Sequence, residues 1–137
     1  MASGLYRLTY VSTAAPMTDG ALETLVQAAC ENNGRMNVQG LLLFNGLNFL
    51  QTLEGSQDAV GTLFERIAAD PRHTGVKIIA AGEAAEAALD GGALTFWTAG
   101  TAHLVTRQIP AALPEDLRTM YLAFASLNAI ERRGGSA

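Results

Sequence analysis

Apolar and polar side chains alternate over residues 5–12 (LYRLTYVS), with Tyr6, Leu8 and Tyr10 on one side and Leu5, Arg7, Thr9 and Val11 on the other. A period of two carried by β-branched and aromatic residues predicts a strand. Residues 14–20, with Pro16, Asp19 and Gly20, read as a turn. The period then becomes helical. Leu22, Leu25, Val26 and Ala29 recur on one face, Thr18 or Asp19 can cap the start, and Gly34 is a natural stop. Asn32 and Asn33 fall three and four residues past Ala29, so this apolar face ends in two amides. Residues 38–44 (VQGLLLF) are a nearly continuous apolar run and predict a central strand. Asn45-Gly46 predicts a hairpin turn, with 47–54 (LNFLQTLE) as the return strand. Ser56 suits the cap of a helix over 57–69 whose stripe is Val60, Leu63, Phe64 and Ile67. Asp70-Pro71 ends it, because the residue before proline avoids helical backbone.

Residues 76–81 (VKIIAA) predict a fourth strand, 83–88 a short helical turn, and 94–98 (LTFWT) a fifth strand. Residues 108–113 read as a linker. Pro114 suits the first position of a last helix, and Glu115 and Asp116 suit its positive end. Its stripe is Leu117, Met120, Tyr121, Phe124 and Leu127, with Arg132 and Arg133 near the negative end and Gly134-Gly135 as the stop. The order β-α-β-β-α-β(-β) plus a C-terminal helix predicts a ferredoxin-like α+β sandwich, both helices on one face of a mostly antiparallel sheet. In that plan the first and third strands are neighbours, which puts Tyr10 beside Gln51. The other face, with Leu5, Val11, Leu50 and part of 76–81, needs a cover from the helix after Pro114 or from a second subunit. The chain divides into a domain over 1–100 and a linker with a helix over 101–137, which packs on the domain or on a partner.

Composition narrows the function classes. With 137 residues, 49% hydrophobic and 16% charged, the chain can bury one core without disulfides or a structural metal. A net charge of −4 argues against nucleic acid as the partner. Cys30 alone excludes an intrachain disulfide and a multi-cysteine zinc site, and His73 and His103 are too few for a His-rich metal site. Met1-Ala-Ser-Gly lacks the basic start of a signal peptide, and no apolar run reaches roughly 18 residues. The expectation is a cytoplasmic domain with neither membrane nor metal.

Candidate chemistry lies in the uncharged polar residues on apolar faces. Gln51 sits between Phe49 and Leu53 on a buried strand face, where an unpaired amide costs a few kcal/mol. The Tyr10 hydroxyl needs a partner for the same reason. Tyr10, Gln51, Asn32 and Asn33 therefore point between sheet and helices. There is no Ser-His-Asp set, no pair of carboxylates on one face and no Gly-rich phosphate loop. Such a cluster suits holding a planar heterocycle by its edge and suits hydrolysis poorly. Each residue alone has a plainer reading: Tyr10 as core, Asn32-Asn33-Gly34 as a helix end, His73, Arg72 and Arg66 as surface, Cys30 as a buried or half-buried bystander, Trp97 as core or interface.

The joint pattern is more specific. LYRLTYVS, ENNGRMNVQGLLLF, NFLQTLEG and RIAADPRH, in this order and spacing, resemble the BLUF domain, a family that senses blue light with flavin. The resemblance covers residues 5–96. It implies that Tyr10 is the photoactive tyrosine and that Gln51 bridges it to flavin N5 and C4=O. It implies that Asn32 and Asn33 bind the isoalloxazine edge, that Arg66, Asp70, Arg72 and His73 lie near the pyrimidine side and ribityl chain, and that Ile67 contacts the ring. The implied cofactor is FAD, with FMN or riboflavin as substitutes. In the implied mechanism, Tyr10 gives an electron and a proton through Gln51 to the excited flavin and takes them back. Gln51 is left with rearranged hydrogen bonds, by rotation or tautomerisation, and no net catalysis occurs. The family's Trp-x-Met signature is missing: Gly92 and Leu94 fall at its positions, or Trp97 and Ala99 in a shifted frame. With little chain left for an effector, the expectation is a short stand-alone sensor acting through contacts, as a homo-oligomer and with a further protein partner. Two alternatives remain open: a ferredoxin-like small enzyme, and a scaffold that has lost photochemistry.

Overall fold

The computed structural model describes residues 4–90, 92–98 and 102–135, with side chains for all of these but 102 and 127–135. The elements are β1 (Tyr6–Ala14), α1 (Asp19–Arg35), β2 (Gln39–Phe44), β3 (Asn48–Gly55), α2 (Gln57–Ala69), β4 (His73–Glu83), β5 (Leu94–Trp97), α3 (Ala102–Gln108) and α4 (Glu115–Gly135). The strands form one sheet in the order β4-β1-β3-β2-β5. All neighbours are antiparallel except β5, which runs parallel to β2. This is the ferredoxin-like plan with a fifth strand added at the β2 edge.

Local chemistry explains the boundaries. The Thr18 side chain accepts a hydrogen bond from the Ala21 N–H, and Ser56 does the same for Ala59, so each helix starts on a hydroxyl cap. Helix α1 runs one residue past Gly34 to Arg35, and Asn37 then takes a left-handed backbone (φ 56°) to turn the chain into β2. Gly46 (φ 97°) lets the β2–β3 hairpin close, a conformation glycine adopts without strain. Strand alternation sends Leu8, Tyr10, Leu42, Phe49, Gln51 and Leu53 toward α1 and α2.

Four expectations change. The β4 strand begins at His73, three residues before the predicted start, because the backbone pairs Thr13 with Thr74 and Ala14 with His73. Residues 83–88 form no helical turn: 84–90 are irregular, held by bonds to Glu54. The predicted linker is preceded by a helix, α3, and Pro114 stands one position before α4. Cys30 is exposed, not buried.

The rear face of the sheet is covered within the chain over β2 and β3. Leu117, Tyr121 and Ala125 of α4, with Val105 and Leu113, pack on Leu41, Leu43, Leu50 and Trp97. The cover stops short of β4, where Lys77 and Ala80, the register partners of rear-facing Val11 and Thr9, are exposed. The side chains of Leu127, Arg132 and Arg133, and residue Ala99, lie outside the described residues.

Candidate functional site

Tyr10 and Gln51 are direct cross-strand partners on β1 and β3. The Tyr10 hydroxyl donates to Gln51 Oε1 at 2.6 Å, and both side chains are buried. Burial first, then the nearby Tyr121 and Asp70, push the Tyr10 phenol far above its ordinary value, so it stays protonated and remains a donor. The Nε2 donors of Gln51 have no protein partner among the described residues, and Gln51 lines a cleft between the two helices.

That cleft holds roughly 590 Å³ of empty space, part of it open to solvent. The structure brings all nine predicted residues to its wall: Tyr10, Asn32, Asn33, Gln51, Arg66, Ile67, Asp70, Arg72 and His73. Asn33 is buried, and its Nδ2 donates to the Ala93 carbonyl at 2.9 Å, leaving Oδ1 as an acceptor. Half-buried Asn32 accepts from Arg35 at 2.7 Å, leaving its own Nδ2 as a donor. The two amides therefore offer one donor and one acceptor at the end of α1.

The opposite wall is ionic. Arg72 Nε and Nη2 grip Asp70, the shorter bond being 2.6 Å, and the Arg72 N–H also donates to Asp70 Oδ1. The Arg72 hydrogen bond holds the Asp70 carboxyl below its ordinary range, while Asp70 holds the guanidinium charged. Arg66 is exposed at this wall and has no ion pair among the described residues. His73 is buried, its Nδ1 is 2.8 Å from Ser12 Oγ, and its ring lies 4.7 Å from that of Phe49. Burial lowers the His73 pKa, so the ring is neutral at pH 7.

Sequence reasoning missed the apolar lining, Leu25, Ala28, Ala29, Leu42 and Leu63. Leu25, Ala29 and Leu63 carry the helical stripes and Leu42 sits in an apolar strand, but the pattern marks them only as core. Ser12 was also missed, although it shares strand parity with Tyr10. Trp97 points to the rear face, where its indole N–H donates to Gln108 and its ring meets Tyr121 edge-on. On the same strand Leu94 and Phe96 pack on the cleft side with Leu25 and Leu42. No helix among the described residues is long and apolar enough to cross a membrane.

Comparison with known proteins gives a consistent result. Residues 5–91 match the model of the BLUF family, "Sensors of blue-light using FAD". A photoactivated adenylate cyclase subunit beta from Euglena longa is 45% identical over 76 residues, 54% of this chain and 9% of that protein. The blue light- and temperature-regulated antirepressor BluF of Escherichia coli is 42% identical over 52 residues, 38% of this chain and 13% of that protein. The chain thus spans about a tenth of the length of these curated relatives. Among solved structures, the BlrP1 manganese/cyclic-diGMP complex of Klebsiella pneumoniae aligns with a TM-score of 0.74 at 29% identity, covering 89% of this chain and 33% of that one. The dark-state structure of BlrB, a BLUF protein, aligns at 0.73 and 22% identity over 94% of this chain and 98% of that one, a likeness of fold.

Proposed function

The chain belongs to the BLUF family of flavin-binding blue-light sensors, and we propose that its cleft holds the flavin ring with the Tyr10–Gln51 pair as the light-responsive switch. The observation that carries this reading is the buried 2.6 Å hydrogen bond from Tyr10 to Gln51 at the cleft wall, with Gln51 Nε2 left to donate into the cleft. The residues fit the group. Leu25, Ala28, Ala29, Leu42, Leu63 and Ile67 supply apolar walls for a flat ring, and Asn32, Asn33 and Gln51 supply donors and an acceptor for its edge.

Bound flavin supplies the absorption of blue light and an excited state able to accept an electron. The protein's part is to place hydrogen bonds. Tyr10 is the electron and proton source, and Gln51, accepting from Tyr10 through one end of its amide and donating through the other, is the path between them. With the electron and proton back on Tyr10 there would be no net redox change, so the lasting difference would be the orientation or the tautomer of the Gln51 amide. Asn32 and Asn33 would hold the edge of the ring beside Gln51, and Ile67 would supply an apolar contact to it. Arg72 and Asp70, locked together, frame the entrance. Neutral His73 offers Nε2 to the cleft while Ser12 holds Nδ1.

Arg66 favours a phosphorylated flavin, FAD or FMN, over riboflavin, since its exposed guanidinium at the mouth has no ion pair among the described residues. We read the chain as a sensor, not a catalyst, that signals by contacts with itself or with a partner protein. The test is the absorption spectrum of the purified protein in the dark and under blue light. A flavin spectrum with a small reversible red shift supports the reading. Flavin without a shift leaves a binding scaffold, and failure to take up flavin on reconstitution overturns it.

A further inference from the structure

Behind the Tyr10–Gln51 pair, on the rear of the sheet, lies a second row of polar groups. Thr9 pairs with Thr52 across β1 and β3, and Thr52 with Leu41 across β3 and β2. The switch row, Tyr10–Gln51–Leu42, is the next row on the same three strands, facing the other way. Tyr121 of α4 reaches this rear row. It is fully buried, its hydroxyl donates to the Leu41 carbonyl at 3.0 Å, and the same oxygen is 2.9 Å from Thr52 Oγ1. Thr52 Oγ1 is in turn 2.9 Å from Thr9 Oγ1.

The proton count makes this chain directional. Tyr121 has one hydroxyl hydrogen and gives it to Leu41. Thr52 must then donate to Tyr121, and Thr9 to Thr52. Three hydroxyls and a backbone carbonyl thus form one line through β1, β3, α4 and β2, each link depending on the next. Burial pushes the Tyr121 phenol well above its ordinary value, which keeps its single donor in place.

We infer that Tyr121 is a positioning residue for the switch: its hydroxyl holds the strands carrying Tyr10 and Gln51 in register from behind and makes the seat of α4 depend on the state of Gln51. The inference rests on the sensor reading of the cleft. The coupling runs through adjacent residues of the same strands: Tyr10 and Gln51 are joined through the main chain to Thr9 and Thr52, so strain from the rearranged Gln51 hydrogen bonds is passed to the hydroxyl row behind. Such a coupling is reciprocal: what the switch does to α4, α4 does to the switch. It gives the chain an output route on the rear face, where Trp97 also lies against Tyr121 at 6.1 Å between ring centroids.

The test uses the 137-residue chain loaded with FAD, and two readouts: the dark-recovery rate of the absorption shift, and amide hydrogen exchange over residues 115–126 in dark and light. In the wild type, illumination speeds exchange in this segment. Tyr121→Phe keeps the ring packing and removes the hydroxyl. It keeps flavin and the red shift, loses the light-dependent exchange difference, and slows recovery about threefold to tenfold, the scale of one hydrogen bond's strain no longer driving the return. Thr52→Val removes the strand side of the chain and gives the same phenotype, and the double variant is no slower than either single one. Leu117→Ala, which thins the same helix interface without touching the hydroxyls, lowers thermal stability but keeps the exchange difference. If Tyr121→Phe recovers at the wild-type rate with the wild-type exchange difference, the inference is overturned while the sensor reading stands. If the wild type shows no red shift, the sensor reading fails and the inference falls with it.

Discussion

The Tyr10 hydroxyl and the Gln51 amide oxygen meet at 2.6 Å because their Cα positions are direct partners in the β1–β3 ladder. Neither side chain has to reach, since both point to the helix side of adjacent strands. Tyr10→Phe keeps the ring among Phe64 and His73 but leaves Gln51 Oε1 without its donor. The expected outcome is flavin uptake with no light-induced red shift, and a stability loss of about 1–3 kcal/mol for the orphaned buried acceptor. Difference spectroscopy and urea unfolding read the two effects separately.

Gly40 has the tightest surroundings among the glycines near the site. A Cβ there would lie 2.6 Å from Asn33 Nδ2 and 3.0 Å from a Leu94 methyl. Gly40→Ala therefore pushes the Asn33 amide away from the Ala93 carbonyl and off its place at the cleft. Overpacking of this kind costs about 1–3 kcal/mol. If half of that falls on the ligand-binding geometry, flavin affinity drops about twofold to tenfold. Titration of apoprotein with FAD checks it, and unchanged affinity would show that Asn33 is free to move.

How much of this was legible in the sequence differs by element. Alternation over residues 5–12 and 47–54 fixes the faces of Tyr10 and Gln51, and the element order makes their strands neighbours, so their meeting could be read in advance. The amides at the end of α1 followed from helical spacing. The early start of β4 and helix α3 did not follow, because neither carries a strong period of its own: His73 and Thr74 become strand by pairing with β1. The Thr9–Thr52–Tyr121 line was hidden for another reason. Threonines in a strand read as β-formers and a tyrosine in a helix stripe reads as core; only the docking of α4 shows that their hydroxyls meet.

His73 makes stability depend on pH. Burial lowers its pKa in the folded protein below the ordinary 6.5, so between those two values the unfolded chain binds the extra proton. Stability is therefore complete above about pH 6.5 and falls as the pH drops through that window, levelling off below the folded-state pKa. Asp70 adds a separate loss at more acid pH, since its lowered pKa contributes stability that disappears only as the pH falls toward the folded value. Urea midpoints at pH 7.5 and 5.5 should differ for the wild-type apoprotein and converge for His73→Gln. An equal pH response in the two proteins would assign the dependence to other groups.

Glu54 ties the irregular segment after β4 to the sheet. It is buried, pairs with Arg7 at 2.7 Å, and accepts from the Ala88 and Leu89 N–H groups at 3.0–3.1 Å. Arg7 also donates to the Glu86 carbonyl, so the ion pair clasps this segment from both members. The segment leads to Ala93, whose carbonyl holds both Asn33 and the Gly40 N–H. Glu54→Ala strands a half-buried guanidinium and two buried N–H donors, a loss of about 3–5 kcal/mol by analogy with broken buried pairs. Arg7→Ala costs less, because Glu54 keeps its two backbone donors and Arg7 is the more exposed partner. Beyond the lower melting temperature, Glu54→Ala should open residues 84–90 to proteolysis and weaken flavin binding through Ala93 and Asn33. Arg7→Ala should do both to a smaller degree. Cleavage of 84–90 in Glu54→Ala without any loss of flavin affinity would break the link between this clasp and the cleft.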